Sequence, residues 1–197
     1  GRVTTEDAYG YSKFARIALH TNDIDYRARV TSDEERDFLA AHVAGSSTTY
    51  RDIDIADHVA LIAFEPEEES PIVFLRLNKN FKKRGLKVSS VATKQSIAMD
   101  KLKADFIKVA PGAESSAVAA LSLSAKSVIL VGERASETPG LLSAVAALAA
   151  KTGSKLAYIP RRAGERGALE AGAIGNLLPG GRPVADAAAR VDIAAAW

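Results

Sequence analysis

The strongest hydrophobic pattern in the chain is a run of six apolar residues at positions 59–64. A parallel strand covered on both faces loses the polar alternation of a half-exposed strand, so this run predicts a strand at the centre of a parallel sheet. The next residues, 65–71, carry four glutamates, and Ser70-Pro71 has the form of an N-cap followed by a first-turn proline. We therefore expect a helix over residues 71–84, ended by a basic last turn and Gly85.

The same order of strand, acidic turn and helix recurs later in the chain. Residues 127–160 align with residues 59–92 without a gap, at a constant offset of 68. The offset pairs Glu65 with Glu133, Glu69 with Glu137, Ser70 with Thr138, Pro71 with Pro139, Gly85 with Gly153, and Lys87 with Lys155. Two such copies predict an α/β fold with a doubly wound, mostly parallel sheet, built from two Rossmann-like βαβ units and preceded by N-terminal helices.

Helical periodicity before the repeat predicts two N-terminal helices. The first begins after Thr4 or Thr5 and ends near residue 20. Its expected buried face consists of Tyr11, Phe14, Ala15, Ala18 and Leu19. Ser32 and Glu35 have the spacing of a capping box, which predicts a second helix to about residue 43 with Phe38, Leu39 and Val43 inward. Residues 52–57 are expected to lead into the central strand.

The remaining pattern completes the element order. Further strands are expected at 87–92, 105–110, 128–132 and 155–160, and further helices at 96–103, 114–123, 139–152 and 184–196. We divide the chain into an N-terminal helical segment (1–57), a first α/β unit (58–125), a second, duplicated unit (126–160), and a Gly/Pro-rich loop with a C-terminal helix (161–197). The loop is expected to hold one helical turn at 168–171. Because the first residue is Gly rather than Met, we expect 1–197 to be a single fragment of a larger subunit.

Composition narrows the possible functions. With 26 basic and 24 acidic residues, the formal net charge is +2, so nothing indicates bulk attraction to nucleic acid or to an anionic membrane. The chain has no cysteine, which excludes disulfides, thiolate metal sites and a cysteine nucleophile within these residues. No apolar run approaches the roughly 20 residues of a membrane-spanning helix, so direct membrane insertion is not expected.

The acidic turn at residues 65–69 is the main candidate for chemistry. Its carboxylates are ligands that Mg²⁺ accepts, and two of them could form an acid/base pair. Carboxylates near a helix N-terminus are also stabilised by about 0.3–1 kcal/mol each, and this structural role is the simpler interpretation. If the glutamates fill that N-terminus themselves, Glu65 or Glu69 should accept N–H bonds from the first turn of the helix at 71–84.

No other residues form a catalytic or metal-binding pattern. The first turn lacks a GxGxxG or Walker motif, and the chain lacks GxSxG. His20, His42 and His58 have no ligand spacing. Basic residues near strand ends could meet an anion, although solvated loop charges are commoner; they are Lys94, Arg161, Arg162 and Arg166. The residues alone therefore assign no catalytic residue and no metal site.

Three segments resemble the molybdopterin oxidoreductase family, which includes formate dehydrogenases and nitrate reductases. Its segment with a strand, a Gly-Ser-Asn-Pro turn, an acidic residue, a proline and a helix with a basic end is similar to AFEPEEESPIVFLRLNKNFKKRGLKV (63–88). Its Gly-Thr-Asn-Asn-x-Asp-x-x-Ala-Arg segment is similar to ALHTNDIDYRAR (18–29), and its Pro-Gly-Thr-Asp turn and helix to VAPGAESSAVAAL (109–121). The resemblance implies the fold of the middle domains of formate dehydrogenase and DMSO reductase.

In family members that bind the molybdenum cofactor, these turns hold its guanine-dinucleotide arms. Carried over by position, the resemblance implies a vestigial dinucleotide site consisting of Asn22, Phe64, Glu65, Pro66, Pro111, Gly112 and Glu114. Phe64-Glu65 replaces the family's Ser-Asn beside the diphosphate, and His20 replaces the glycine before Thr21. No cysteine or selenocysteine ligand for molybdenum is present. We therefore expect no cofactor in this fragment, and iron–sulfur clusters in cysteine-rich regions elsewhere in the full-length chain.

Other segments resemble the branch of the family found in bacterial respiratory complex I: 64–77, 131–140 and 160–180. In that branch the fold remains as a scaffold without molybdenum. The resemblance implies a structural domain, peripheral on the cytoplasmic side of the inner membrane, whose partners are other subunits of that complex. Two alternatives stay open. One is a redox enzyme domain that still binds a molybdopterin guanine dinucleotide; the other is an independent domain that binds a small nucleotide or a divalent cation at Glu65 or Glu133.

Overall fold

The computed structural model describes residues 2–197 and confirms an α/β fold around a parallel sheet. The chain forms two compact units. We call residues 47–161 the sheet unit, and residues 2–46 together with 162–197 the helical unit. The sequence-based division, with boundaries after residues 57, 125 and 160, stays a prediction.

The elements have the following bounds. The N-terminal part of the helical unit contains α1 (Thr5–Ile17), α2 (Asp33–Phe38) and a π-helical turn (Leu39–Val43). The sheet unit contains α3 (Tyr50–Ile55), β1 (His58–Ile62), α4 (Pro66–Glu69), α5 (Pro71–Arg84), β2 (Lys87–Ala92), α6 (Ile97–Lys101), β3 (Asp105–Lys108), α7 (Glu114–Ala119), β4 (Ser127–Gly132), a 3-10 turn (Glu133–Glu137), α8 (Leu141–Thr152) and β5 (Lys155–Ile159). The C-terminal part of the helical unit contains α9 (Glu165–Glu170), the hairpin strands β6 (Leu177–Leu178) and β7 (Arg182–Pro183), and α10 (Ala187–Ala196).

The sheet has the doubly wound topology that the sequence repeat predicts. Its strand order is β3-β2-β1-β4-β5, and every neighbouring pair is parallel. Each copy of the repeat therefore places its first strand at the centre and its second strand further out. Residues 59–62 are fully buried, as a parallel strand covered on both faces must be.

Helix α5 shows how the repeat packs. It buries Val73, Phe74 and Leu77, which lie on one face at helical spacing, and these side chains join the core beneath the sheet. Burying a side chain such as Leu77 stabilises the fold by about 1.5–3 kcal/mol. Ser70 and Pro71 begin the helix as predicted, and Gly85 ends it in the left-handed conformation with a φ of 67°.

Residues 52–57 lead into β1 as expected, but the helix α3 that includes residues 52–55 was not predicted. Thr49 precedes α3, and its N–H and hydroxyl both donate to Asp52 Oδ2, at 2.7 and 2.8 Å. This is the capping interaction of a Thr followed three residues later by an acidic residue, which the sequence reading missed. Asp52 Oδ1 also accepts from Lys155 Nζ on β5 at 2.5 Å.

The predicted buried face of α1 was wrong. Tyr11 and Phe14 are 66% and 55% exposed, whereas Ala8 and Ser12 are buried. Small residues face α9 because the two helices approach closely: a Cβ added to Gly167 would overlap the hydroxyl of Thr5. Large apolar side chains at helical spacing cannot enter such a contact, so they remain on the surface.

A buried ionic network stabilises the helical unit. The Arg27 guanidinium contacts Asp25 at 2.6 Å and Glu35 at 2.9 Å, and the side chains of Arg27 and Glu35 are 3% and 0% exposed. Arg29 also bonds to Glu35. Ser32 caps α2 as predicted, accepting from the Glu35 N–H at 3.1 Å. The Glu35 carboxylate thus pairs with two arginines, which offsets the large cost of burying a charge.

The loop predicted after residue 160 contains more secondary structure than the single helical turn expected there. The expected single turn at 168–171 is the six-residue helix α9, which begins at Glu165. The predicted C-terminal helix begins at Ala187, with Asp186 as its N-cap. None of the helices within residues 2–197 combines the length and the apolar character needed to cross a membrane.

Two backbone features shape the point where β1 and β4 end. Ala63, directly after β1, has a φ of 48°, in the left-handed region that disfavours side chains. Gly132, the last residue of β4, lies so close that an added Cβ would overlap the carbonyl oxygen of Ala63 and come within 3.0 Å of Phe64 Cα. Glycine is therefore required at this strand end.

We expect Gly132→Ala to lower the free energy of unfolding by about 1–3 kcal/mol, because the new methyl group meets main-chain atoms that cannot move aside. Ala63→Gly should be neutral or stabilising by up to about 1 kcal/mol, because it relieves the left-handed strain. Urea unfolding followed by circular dichroism measures both. Gly10→Ala, on α1 with no atom within 4 Å of the added Cβ, is the control and should stabilise by about 0.5–1 kcal/mol. Equal losses at Gly132 and Gly10 would contradict this explanation.

The Asp52 carboxylate should make stability depend on pH. The hydrogen bond from Lys155, and then those from Thr49, lower the pKa of Asp52 to about 2. A carboxyl group with a depressed folded-state pKa stabilises the fold above its unfolded pKa of about 3.9, and this contribution is lost as the pH falls toward the folded value. The difference in urea midpoint between wild type and Asp52→Asn should therefore shrink between about pH 5 and pH 2. Lys155→Gln should make this change shallower; parallel pH curves would refute the assignment.

Candidate functional site

The candidate site lies at the carboxyl ends of β1 and β4, where the strand order reverses. The chain leaves β1 toward β2 on one side and leaves β4 toward β5 on the other. In open α/β sheets, this reversal is where ligands bind, because the helices that follow point their N–H groups toward it. Both acidic turns of the repeat therefore meet at one edge of the sheet.

Carboxylates of the first turn accept N–H groups of their own turn. Glu65 precedes α4, and its Oε1 accepts from the Glu67 N–H at 3.4 Å. Glu69 Oε1 accepts from the Glu65 N–H at 3.4 Å. We expected these donors in the first turn of α5. The donors found lie one turn earlier, because Pro66 starts a separate short helix there.

An ion pair joins the two copies across the site. Arg134, from the second turn, contacts Glu69 Oε1 at 2.6 Å. The Glu69 side chain is only 7% exposed, and its Oε2 has no hydrogen-bond partner within residues 2–197. Sequence reasoning missed Arg134, because the repeat alignment pairs it with Pro66, so comparison of the copies gave no signal. The carboxylate of one copy is thus neutralised by a cation of the other.

The second acidic turn is arranged in a similar way. Glu133 is 5% exposed, and its Oε2 accepts from the backbone N–H of Arg161 at 3.4 Å. Arg162 and Arg166 lie in the helical unit, where they pair with Glu165 at 3.0 Å and Glu170 at 2.7 Å. Arg162 and Arg166 therefore have carboxylate partners within their own unit.

A cleft of 460 Å³ opens beside the first turn. Its lining includes Glu65, Glu67 and Lys94, with Arg134 at one side. Glu67 pairs with Lys101 at 2.5 Å. Within residues 2–197, no three His, Cys, Asp or Glu side chains are grouped so that they could hold a metal ion. Two of the charged side chains that line the cleft, Glu67 and Arg134, therefore pair with residues outside its lining.

The three histidines do not line this cleft. His58 starts β1, and its Nε2 lies 2.7 Å from Ser89 Oγ. Burial, and then the nearby Lys87, lower the pKa of His58, which favours the neutral ring. His20 and His42 are exposed residues of the helical unit.

Within the sheet unit, the structure brings together only part of the predicted vestigial site. Phe64, Glu65 and Pro66 follow β1; the Phe64 side chain is 2% exposed and joins the core. Pro111 and Gly112 form an exposed turn after β3, on the same sheet edge but two strands from β1. Glu114 begins α7. Asn22 belongs to the helical unit, where its Oδ1 accepts from Arg16 Nε at 2.9 Å.

These residues do not fit a guanine dinucleotide. A diphosphate needs free N–H donors and small neutral side chains at the strand end. Here carboxylates accept the N–H groups, and the Glu65 charge would repel a phosphate. Gly132 already lies against the main chain at Ala63 and Phe64. The space that backbone approach to a diphosphate would require is thus filled by the chain itself.

Comparison with known proteins identifies relatives that match the chain over its whole length. No family model matches the chain. The G subunit of NADH-quinone oxidoreductase from Mycobacterium bovis is 53% identical over 207 residues, which cover 100% of this chain and 26% of that protein. The corresponding G subunit of Streptomyces coelicolor is 47% identical over 229 residues, covering 100% of this chain and 27% of that protein. A formate dehydrogenase alpha subunit of Methanocaldococcus jannaschii is 30% identical over 113 residues, covering 56% of this chain and 16% of that protein.

The chain spans about a quarter of the length of these G-subunit relatives. Its similarity to formate dehydrogenase is weaker and covers only part of the chain, in agreement with the resemblance to molybdopterin enzymes. Along its whole length, the chain is homologous to one segment of the G subunit of NADH-quinone oxidoreductase.

Proposed function

We propose that this chain is a structural, cofactor-less domain of the G subunit in respiratory complex I, the NADH-quinone oxidoreductase that transfers electrons from NADH to quinone and translocates protons. The domain holds the fold of a molybdopterin enzyme and acts as a scaffold, without a catalytic residue or a metal of its own. Its partners are the other subunits of the complex, and nucleic acid is not among them. The names of relatives that are 47–53% identical over the whole chain support the assignment to this complex.

One observation carries the scaffold role. At the strand ends where enzymes of this fold hold a dinucleotide, the side chains of Glu65, Glu69 and Glu133 accept hydrogen bonds from backbone N–H groups. Arg134 then neutralises Glu69 across the two copies. Such a site places carboxylates against backbone donors of the kind that a diphosphate would use, and their negative charge disfavours a phosphate.

The iron–sulfur clusters of the subunit belong to parts of the full-length chain outside these residues. Iron–sulfur clusters are held by cysteine thiolates, and this chain has none. We therefore place the clusters in other parts of the subunit, and the domain as a peripheral part of a membrane complex on the cytoplasmic side.

Cofactor analysis tests the proposal directly. The full-length subunit, purified within its complex from its own host, should contain iron but only background molybdenum and guanine nucleotide. A molybdoenzyme purified in parallel from the same host controls for cofactor supply and recovery. Molybdenum or a guanine dinucleotide near one per chain would refute the scaffold role and favour a redox domain. Purification without other complex subunits would refute the assigned partners.

The Arg134–Glu69 pair should contribute to stability rather than to ligand binding. Arg134→Met leaves a largely buried carboxylate unpaired, so we expect the free energy of unfolding to fall by about 1–2 kcal/mol. Glu69→Gln should cost less, and the double variant should cost less than the sum of the two. Urea unfolding of the four proteins gives this coupling. Lys94→Met, a cation of the same cleft, is the control and should change stability by less than about 0.5 kcal/mol. Strictly additive effects would contradict the pairing.

A further inference from the structure

An apolar groove of 590 Å³ lies in the helical unit, between the end of α1 and α10. Its apolar lining is formed by Ile17, Leu178, Val184, Ile193 and Trp197. The Trp197 indole N–H donates to the Tyr9 hydroxyl at 2.7 Å, which fixes the large ring at the rim. The groove is thus a preformed surface.

The charged residues that line the groove are basic. They are Arg16 and Arg190, with His20 beside them, and no acidic residue contributes to the lining. Arg16 is half-buried, and its guanidinium donates to the carbonyl oxygens of Gly172, Ile174 and Leu177 at 2.9, 3.1 and 2.8 Å. These acceptors orient the cation but carry no formal charge.

No carboxylate compensates these cations. Within residues 2–197, neither Arg16 nor Arg190 has a salt-bridge partner, and the ordered contact of Arg190 is a hydrogen bond to the Val184 carbonyl at 2.6 Å. Burial lowers the pKa of Arg16, but arginine remains charged at neutral pH. A half-buried positive charge without a counter-charge favours an anionic neighbour.

The apolar surface extends beyond the groove along α1. Tyr11 and Phe14 are exposed, and Ile17, which lines the groove, is 44% exposed. Leu19 follows at 58%. Several exposed large apolar side chains close together in sequence, beside an apolar groove, are typical of an interaction site. The sequence periodicity also predicted a buried face here, and the large residues of that face are exposed within this chain.

We propose that this groove docks another segment of the same full-length subunit, outside residues 1–197, that presents apolar side chains flanked by carboxylates. The inference rests on the proposed function, because it takes the chain to be one part of a longer G subunit. Relatives are about four times as long as the region that aligns, so most of such a subunit lies outside this chain. The apolar lining suits apolar side chains, and the uncompensated arginines suit carboxylates.

Photo-crosslinking in the intact complex tests the docking. A benzoylphenylalanine probe replaces Ala194, an exposed residue of α10 that lines the groove. The matched control replaces Val191, which is 68% exposed on the same helix but does not line the groove. After irradiation, the Ala194 probe should join a peptide of the same chain that lies outside these residues and contains Asp or Glu. The Val191 probe should give only background yield of that product.

The identity of the crosslinked peptide tests the proposal. A product within one chain leaves the mass on a denaturing gel unchanged, and mass spectrometry identifies the peptide. A product with a second copy, with another subunit or with lipid would overturn the proposal, as would a yield equal to that of the control. If the subunit purifies outside complex I but still forms the same-chain product, the proposed function fails and the docking stands. If the complex is intact and the product differs, only the docking fails.

A charge variant tests the chemistry of the partner. Arg190→Glu should lower the same-chain yield from the Ala194 probe about fivefold, as the loss and reversal of one partly exposed charge pair implies. Lys151→Glu, an exposed lysine of the sheet unit that does not line the groove, should leave the yield unchanged. Circular dichroism should show the same melting temperature for both variants. An unchanged yield with Arg190→Glu would overturn the acidic partner.

Discussion

The pairing of β1 with β4 is the constraint on which the sheet unit depends. Both strands are buried on both faces, so each must be followed by a helix that covers the sheet before the chain returns to a parallel neighbour. The first copy of the repeat returns on one side of the pair and the second on the other. This reversal places the two acidic turns next to each other, and it allows Arg134 of one copy to neutralise Glu69 of the other.

The same backbone geometry that suits a dinucleotide is used here for internal contacts. Strand ends that point toward helix N-termini create N–H donors that need acceptors. In this chain, carboxylates of the turns supply them, and Gly132 allows the two strand ends to approach closely. A fold can therefore keep its topology while the chemistry at its ligand edge is replaced. This accounts for similarity both to the G subunit of NADH-quinone oxidoreductase and, more weakly, to a formate dehydrogenase.

The helical unit is stabilised by other interactions than the sheet unit. Small residues of α1 face α9, and the close contact excludes the large side chains of α1 from the interior. A buried Arg27–Glu35 pair and the carbonyl cage around Arg16 supply order that a small apolar core alone would not. The result is a well-packed unit that nevertheless leaves apolar rings and uncompensated cations on its surface. These features suit the docked segment proposed above.

The sequence by itself determined the elements that depend on local rules. Consecutive apolar residues identified β1, the gapless repeat identified the doubly wound sheet, and Ser70-Pro71 and Gly85 marked the ends of α5, because strand burial, capping and left-handed glycine act within a few residues. Tertiary structure decided what depends on distant neighbours. The side of α1 that is buried depends on how closely α9 approaches. The neutralisation of the Glu69 carboxylate depends on an arginine 65 positions later. No local pattern encodes these contacts, because the free energy of a close approach or an ion pair arises only when the fold brings both partners together.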